Sequence, residues 1–488
     1  MKRIAVCLLI PFVAAVSPVL AAEAGPIDIG RRRELFVDGY LIEKLSGARL
    51  MLHRPRDEGK VLKFDKPWEG RFCGYATVIK DGDKYRMYYR GKPAAGKDGK
   101  NESVCYAESA DGVRWTRPQF SLVPYGEHKR TNIVLAGDGA IAHNFSPYLD
   151  TRPGAPKSRR YKAVGGTAHT GLMAFVSPDG VHWKKLQDKP VIPKSYGALD
   201  SQNTVFWSHS ERKYLCYLRT WTGGGFRGVR TISRTTSDDF LRWSKPVAMK
   251  FRHAGRAAPV EHLYTNQTHA YFRAPHIYVS TAARFMPGRR VLTASQAKAL
   301  GVHPRYFGDT SDAVLMTSRG GDVYDRTHLS SFIRPGIGAG NWVSRSNYPA
   351  LNVVQTGAGE MSVYTNQDYA QRSAHMRRYS LRIDGFSSLH AEYRGGSLLT
   401  KPIRFTGKRL SINFATSAAG SVQVEIRHAA GTPISGFKLD DCTPQIGNEI
   451  DRLVTWKSGP DVSALAGKPI RLRFTLKDAD VYSFVFTD

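Results

Sequence analysis

The chain has 488 residues, a formal net charge of +29 and 41% hydrophobic residues. No stretch after the first 24 residues has the roughly 20 uncharged apolar residues of a membrane helix, which excludes a membrane span. The excess positive charge favours anionic partners, but its basic clusters are short and scattered, which argues against a nucleic-acid platform.

The N-terminus has the pattern of a secretory signal peptide. Lys2 and Arg3 precede an apolar run from Ile4 to Leu20, and small residues follow at Ala21 and Ala24. A charged start, an apolar centre and small residues at the cleavage site are typical of export. We therefore predict a signal peptide over residues 1–24 and a secreted or periplasmic mature protein.

The cysteines remaining after residue 24 are spread widely along the chain: Cys73, Cys105, Cys216 and Cys442. This spacing is too wide for a compact zinc site. A disulfide between Cys73 and Cys105 and a set of four free, buried thiols both fit the sequence.

A turn of the form Asp-Gly followed by an aromatic residue recurs along the chain. Asp-Gly between two β-type runs is a strong hairpin signal, because Gly accepts a positive φ and Asp caps the local backbone. The turns are about 60 to 80 residues apart, which suits one four-stranded sheet with its loops. The copies are Ser109–Trp115, Ser177–Trp183, Ser237–Trp243, Ser318–Tyr324 and Asp384-Gly385-Phe386.

Short β-type runs lie between these turns, and long helical patterns are almost absent. We predict an all-β fold with a five-bladed β-propeller over residues 25–386 and an antiparallel β-sandwich over residues 387–488. The isolated run from Glu34 to Asp38 is predicted to close the ring by joining the last blade, which would remove an exposed edge.

Three acidic residues open predicted strands that are otherwise apolar or aromatic: Asp200, Glu261 and Glu360. The first strand of each propeller blade lines the central channel, so these acids are expected to converge. Two carboxylates suffice for glycoside hydrolysis. We predict Asp200 as base or nucleophile, Glu261 as general acid and Glu360 as a modulator, with roles that can permute. The alternative is that these acids pair with arginines and only hold the blades together.

Other polar residues near the blade starts are candidate substrate ligands. His143 and Asn144 open the second blade, where an acid could have stood. Arginines at blade starts can pair with the acids or bind substrate. The full set of predicted substrate-binding residues is His143, Asn144, Asn203, Tyr264, Asn266, Arg219 and Arg284. No phosphate loop, H-E-x-x-H or EF-hand pattern occurs, so the sequence predicts no metal and no cofactor.

Ser109 to Trp115, Ser177 to Trp183, the Asp200 run and the C-terminal segment together resemble the five-bladed glycoside hydrolases of families 32, 43 and 68. The family 32 motif W-M-N-D-P-N-G is absent, since the first blade reads Arg71-Phe72-Cys73-Gly74-Tyr75. The resemblance therefore implies a divergent branch. It implies an exported glycoside hydrolase whose substrate is a poly- or oligosaccharide that can be sulfated or rich in uronate.

Two other functions fit the same features. The turns are similar to the Asp-box S-x-D-x-G-x-x-W of sialidases, although one residue shorter between Asp and Gly and five rather than six in number. A sialidase would need three arginines on one carboxylate and a tyrosine nucleophile. A non-catalytic, exported propeller that binds polysaccharide is the other alternative.

Overall fold

The computed structural model describes residues 25–96, 99–137 and 139–488. The predicted signal peptide lies outside these ranges. The described chain is built of strands, with one short α-helix at Ala294–Ala299 and a few 3-10 turns. In the described ranges, no helix has the length and apolarity that a membrane crossing requires. The prediction of an all-β chain is confirmed.

Three successive antiparallel sheets have four strands each, and every strand pairs with its neighbour in sequence. Sheet 1 contains Gly74–Asp81, Lys84–Gly91, Ser103–Ser109 and Ile133–Ala136. Sheet 2 contains Ser146–Leu149, Tyr161–Thr167, Gly171–Ser177 and Lys184–Lys185. Sheet 3 contains Thr204–Ser208, Lys213–Trp221, Arg230–Ser237 and Val247–Ala248.

Two larger sheets follow. Sheet 4 has seven strands: Lys250–His253, Arg256–Ala257, His262–Leu263, Thr268–Tyr271, Ala274–Met286, Thr310–Ser318 and Val323–Asp325. Sheet 5 has five strands: Arg56–Lys63, Tyr348–Pro349, Val354–Gln355, Glu360–Gln367 and His375–Arg382. Sheets 1 to 4 are thus each one continuous segment, as expected of a blade. The predicted fifth blade is not, because an N-terminal strand completes its sheet.

We call the innermost strand of each sheet its first strand: Gly74–Asp81, Ser146–Leu149, Thr204–Ser208, Thr268–Tyr271 and, in sheet 5, the pair Tyr348–Pro349 and Val354–Gln355. These strands meet around a common axis, which gives a β-propeller arrangement. Thr77 of sheet 1 forms a parallel bridge with Leu351, next to sheet 5. The Gln202 side chain donates to the Thr77 hydroxyl at 2.9 Å, and the Gln267 amide donates to the Gln202 side chain at 2.8 Å. These buried amides join the sheets across the axis through hydrogen bonds between their side chains.

The remaining strands form one ten-stranded sheet: Ile27–Gly30, Glu34–Leu35, Ile42–Ser46, Ala48–Leu52, Ser387–Ala391, Gly396–Thr400, Ile403–Phe405, Arg409–His428, Asn448–Leu453 and Ile470–Thr487. A separate C-terminal sandwich is therefore not confirmed, since N-terminal strands belong to the same hydrogen-bonded sheet. The predicted ring closure by Glu34 to Asp38 is wrong. Glu34–Leu35 pairs with Ile470–Thr487, and Arg56–Lys63 joins sheet 5 instead.

The recurring turns have one geometry in sheets 1 to 3. In the second copy, Asp179 Oδ1 accepts from the backbone N–H groups of Val181 and His182, both at 2.9 Å. A tyrosine of the preceding sheet then contacts the turn, since the Tyr88 hydroxyl donates to the Gly180 carbonyl at 2.8 Å. The turns therefore join neighbouring sheets as well as closing hairpins.

Asp384, in the last predicted turn, has a different role. It is fully buried and accepts hydrogen bonds from the Tyr271 hydroxyl at 2.8 Å, from Arg273 at 3.0 Å and from the Ser483 hydroxyl at 2.7 Å. These partners belong to sheet 4 and to the ten-stranded sheet. Asp384 thus anchors the two parts of the molecule to each other.

Candidate active site at the channel mouth

Several loops that lead into first strands carry strained backbone. Non-glycine residues with left-handed φ values occur there: Tyr75 at 49°, Leu199 at 52°, Gln267 at 51°, Arg345 at 63° and Asn347 at 64°. Such strain persists only where the surrounding structure imposes it, and it concentrates at functional sites. We call the end of the channel where Tyr75, Tyr264, Phe285 and Tyr348 pack together the channel mouth.

Asp200 lies next to the channel mouth, in the segment that precedes the strand Thr204–Ser208 and not at the start of that strand. Its side chain is 22% exposed, and its Oδ1 lies 3.8 Å from Nη2 of Arg219. That oxygen has no hydrogen-bond partner in the part of the chain that the structure describes. Its backbone carbonyl accepts from the Tyr75 hydroxyl at 3.5 Å. A buried carboxylate oxygen without a partner calls for an explanation, and contact with a ligand group is one.

Arg219, a predicted ligand, lies beside Asp200 with its guanidinium against the Tyr264 ring. Its Nη1 donates to the Tyr264 carbonyl at 2.9 Å, and its guanidinium carbon is 4.6 Å from the ring centroid. Two further arginines approach the same ring, Arg230 at 5.2 Å and Arg345 at 5.7 Å. The structure therefore brings Asp200, Arg219 and Tyr264 together, and it adds two arginines that were not predicted.

Glu261 is close in sequence to Tyr264 but is engaged in ion pairs. One carboxylate oxygen lies 2.7 Å from Nη1 of Arg284, and the other lies 2.6 Å from Nη2 of Arg326. Arg284 also pairs with Asp312 at 2.6 Å, so this predicted ligand is held between two carboxylates. A cavity of about 720 Å³ lies beside this cluster, lined among others by Glu261, Arg284 and Asp312. The alternative of pairing with arginines thus fits Glu261.

Glu360 lies away from the channel mouth. It opens the second strand of sheet 5, Glu360–Gln367, and the opposite end of that strand reaches Tyr348 through the Tyr348 to Asn366 pairing. Six residues of strand separate the two ends by about 20 Å. The Glu360 carboxylate forms an ion pair with Arg378 and accepts from the Thr356 hydroxyl at 2.9 Å. The structure does not bring Glu360 together with Asp200, because it begins a second strand and not a first one.

The three predicted asparagine ligands bind protein atoms. Asn144 donates to the carbonyls of Leu199 and Ser201, both at 2.7 Å, and accepts from the Gly166 N–H at 2.8 Å. Asn203 and Asn266 are likewise buried and bonded to neighbouring backbone. Their amides join adjacent sheets, so we do not include them in the candidate site.

His143 is buried, and its Nδ1 lies 3.0 Å from both carboxylate oxygens of Glu102. Burial raises the pKa of Glu102, but the hydrogen bond to His143 and the charges of Arg90 and Lys92 outweigh it, and the net shift is well below the ordinary value. The His143 ring contacts Tyr75 edge-on at 5.5 Å. His143 therefore supports the wall of the channel mouth through Tyr75.

Sequence reasoning missed Tyr75, Arg230, Arg345 and Tyr348. The signal for Tyr75 and Tyr348 was their position at the beginning of an innermost strand, the position for which Asp200 was predicted. Arg230 begins the third strand of sheet 3 and Arg345 lies in a loop, so neither carries a positional signal. Within the described ranges, no group of three or more His, Cys, Asp or Glu side chains is arranged to hold a metal ion.

No protein-family model matches this sequence, and no curated protein gives a significant match. Solved structures resemble it at low identity. One described as a glycoside hydrolase is 14% identical, with a TM-score of 0.46, and the match covers 67% of this chain and 92% of that one. A thermostable family-43 glycoside hydrolase is 10% identical, with a TM-score of 0.41 and coverage of 66% and 95%.

An N-acetylgalactosamine deacetylase from F. plautii is 12% identical, with a TM-score of 0.41 and coverage of 69% and 96%. These similarities assign no reaction.

Proposed function

We propose that the protein is an exported glycoside hydrolase that binds a poly- or oligosaccharide at the channel mouth. The observation that carries this proposal is Asp200, whose Oδ1 lacks a hydrogen-bond partner among the described residues and whose backbone carbonyl accepts from the Tyr75 hydroxyl at the channel mouth. Aromatic walls with a few polar groups are typical of ligand sites. A carboxylate in such a cleft can act as base or nucleophile toward a glycosidic bond.

Glu261 is the second carboxyl group that we propose for hydrolysis, and its ion pairs constrain its role. Arg284 and Arg326 hold both of its oxygens in fixed positions. In the proposed reaction Asp200 acts as base or nucleophile and Glu261 gives a proton to the leaving oxygen, which requires one Glu261 oxygen to leave its arginine partner when substrate binds. Glu360 has no part in the proposed reaction, since it lies at the far end of its strand.

We also propose that the propeller has five blades and that the protein is exported, as the sequence predicts. Sheet 5 is proposed to act as the fifth blade, with Arg56–Lys63 as its outer strand, because an N-terminal strand in the last sheet removes an exposed edge. The ten-stranded sheet is proposed to fold over its apolar core in the manner of a sandwich. Export is supported by the residue pattern of the first 24 positions.

A panel of neutral and acidic glycans tests the reaction, with released reducing ends as the measurement. The variants are D200N and, as a matched control, D188N, whose aspartate is exposed. We expect D200N to lose about 100-fold to 10,000-fold in rate and D188N to be unchanged. Unchanged release by folded D200N would contradict the proposal.

The second candidate is a non-catalytic polysaccharide-binding propeller, favoured by the ion pairs of Glu261. Isothermal titration with the same glycans distinguishes the two. Binding by the wild-type protein with no release from any glycan in the panel would support the second candidate and overturn the first.

A further inference from the structure

Three arginines surround one aromatic ring beside Asp200. The guanidinium carbons of Arg219, Arg230 and Arg345 lie 4.6, 5.2 and 5.7 Å from the centroid of Tyr264. Among the described residues, Asp200 is the single acidic side chain within 4 Å of any of them, at 3.8 Å from Arg219. Like charges held together among buried aromatic side chains repel one another, so this arrangement favours a further negative charge.

The arginines also have hydrogen-bond donors to spare. Arg219 is 3% exposed, and its Nε and Nη2 lack partners in the described chain, as does Nε of Arg230. The Arg345 guanidinium lies against the rings of Tyr264 and Tyr306 and donates to no described residue. A guanidinium presents parallel N–H groups that match the oxygens of a carboxylate or a sulfate.

Neutral hydroxyl donors line the same cleft. Burial raises the pKa of Tyr75 and of Tyr348 well above the ordinary value, so both hydroxyls stay protonated. The Tyr348 hydroxyl is buried and has no hydrogen-bond partner in the described ranges. The aromatic ring of Tyr348 packs on Tyr264 at 5.1 Å. The cleft thus offers donors on an apolar wall, which suits an anionic group attached to a sugar ring.

We propose that the substrate carries an oxyanion, the carboxylate of an acidic sugar or a sulfate ester, and that Arg219, Arg230 and Arg345 bind it beside Asp200. This inference rests on the proposed function, because it assumes that a carbohydrate occupies the channel mouth. It narrows the substrate class to glycans with a negative substituent on the unit that enters the cleft.

The test is isothermal titration of the mature protein with matched probe pairs. Trigalacturonate is compared with its methyl ester, sialyllactose with lactose, and a sulfated galactan oligosaccharide with its desulfated form. We expect one anionic probe to bind at least about 10-fold more tightly than its neutral match. The first two pairs identify a carboxylate and the third identifies a sulfate. Equal affinity within all three pairs would overturn the inference.

Variants then locate the binding site. R345Q and R230Q are each expected to weaken binding of the preferred probe by roughly 10-fold to 100-fold, and R345K to retain part of the affinity. R114Q is the control, since Arg114 has a side chain that is 91% exposed and lies outside the channel mouth. Thermal melts identify any variant that fails to fold, and R230Q and R345Q report independently. Full affinity in both folded variants would place the anion elsewhere and refute the assignment.

Release of reducing ends separates this inference from the proposed function. Charge-dependent binding that is lost in R345Q, without release, would support the anion site and contradict hydrolysis. Release from neutral glycans, with no preference for charge, would support hydrolysis and contradict the anion site.

Discussion

Arg219 holds Tyr264 at two points. Its Nη1 donates to the Tyr264 carbonyl at 2.9 Å, and its guanidinium carbon lies 4.6 Å from the Tyr264 ring. Arg219 belongs to the second strand of sheet 3, and Tyr264 lies in the loop before Thr268–Tyr271 of sheet 4. The channel mouth is therefore formed by a contact between two sheets. Asp200 stands beside this contact, so its position depends on how the sheets pack.

Replacing Glu261 should reduce stability strongly. Its carboxylate neutralises Arg326, which is 1% exposed, together with Arg284. E261Q leaves a buried guanidinium without its charge partner, and we expect a loss of about 3 kcal/mol in the free energy of unfolding. Urea unfolding measures it. E127Q, at an exposed site, should change stability by less than about 0.5 kcal/mol. A loss in E261Q as small as that of the control would show that the ion pairs are not structural.

Replacing Glu360 should leave any catalytic activity almost intact. The residue bonds to Arg378 and Thr356 at the end of its strand that is remote from Tyr348. We expect E360Q to keep its rate within about 2-fold of wild type and to lose about 1 kcal/mol of stability, as for a partly exposed ion pair. Parallel rate and urea measurements check both. A rate loss in E360Q comparable to that of D200N would contradict this prediction and indicate that Glu360 takes part in the reaction.

The recurring turns should make stability depend on acidity. Burial raises the pKa of Asp179, but hydrogen bonds from His182, Val181 and Ser177 outweigh it and lower the pKa well below the ordinary value. A lowered pKa in the folded state adds stability above about pH 4, and that stability is lost as the pH falls further. D179N should therefore lose less stability than wild type between pH 5 and pH 2. We expect a difference on the order of 0.5 kcal/mol, because the Asp179 side chain is 46% exposed and solvent screens its charge.

Urea midpoints at pH 5, 4, 3 and 2 measure this dependence. D188N serves as the control, because Asp188 is exposed and outside the turns. Identical pH profiles for wild type and D179N would contradict the explanation.

The four cysteines outside residues 1–24 should be unreactive thiols in the native protein. Cys73, Cys105, Cys216 and Cys442 are all free and buried, so the predicted alternative of free thiols holds and the Cys73 to Cys105 disulfide is wrong. Burial raises the pKa of Cys442 to about 11, which keeps it in the thiol form. We expect a thiol reagent to react slowly with the folded protein. In guanidinium it should react with all four of these thiols in protein that lacks residues 1–24. Fewer than four groups in denaturant without reductant would indicate a disulfide.

Much of the fold followed from local patterns. Asp-Gly turns and short apolar runs indicate the local backbone conformation, so the strands around Asp111 and Asp179 could be predicted from the sequence. The role of Asp384 could not be predicted in this way. Its Asp-Gly pair has the same sequence as the turns, but the Asp384 carboxylate is buried and binds two different sheets. The partner of Glu34 was also mispredicted, since edge strands choose partners by tertiary packing and not by local pattern.

For the site, the sequence by itself pointed to Asp200 as a candidate, because an acidic residue stands there just ahead of an apolar run. The packing of the sheets decided where its side chain lies, and its catalytic role is a proposal. The sequence also determined the repeat and the all-β class, since turn residues and short apolar runs are local patterns that can be recognised along the chain. Only the tertiary structure decided that Glu360 lies at the wrong end of its strand and that Arg230 and Arg345 reach Tyr264. These facts depend on strand order and direction within a sheet, and residues far apart in sequence meet there only after the sheets have packed around the axis.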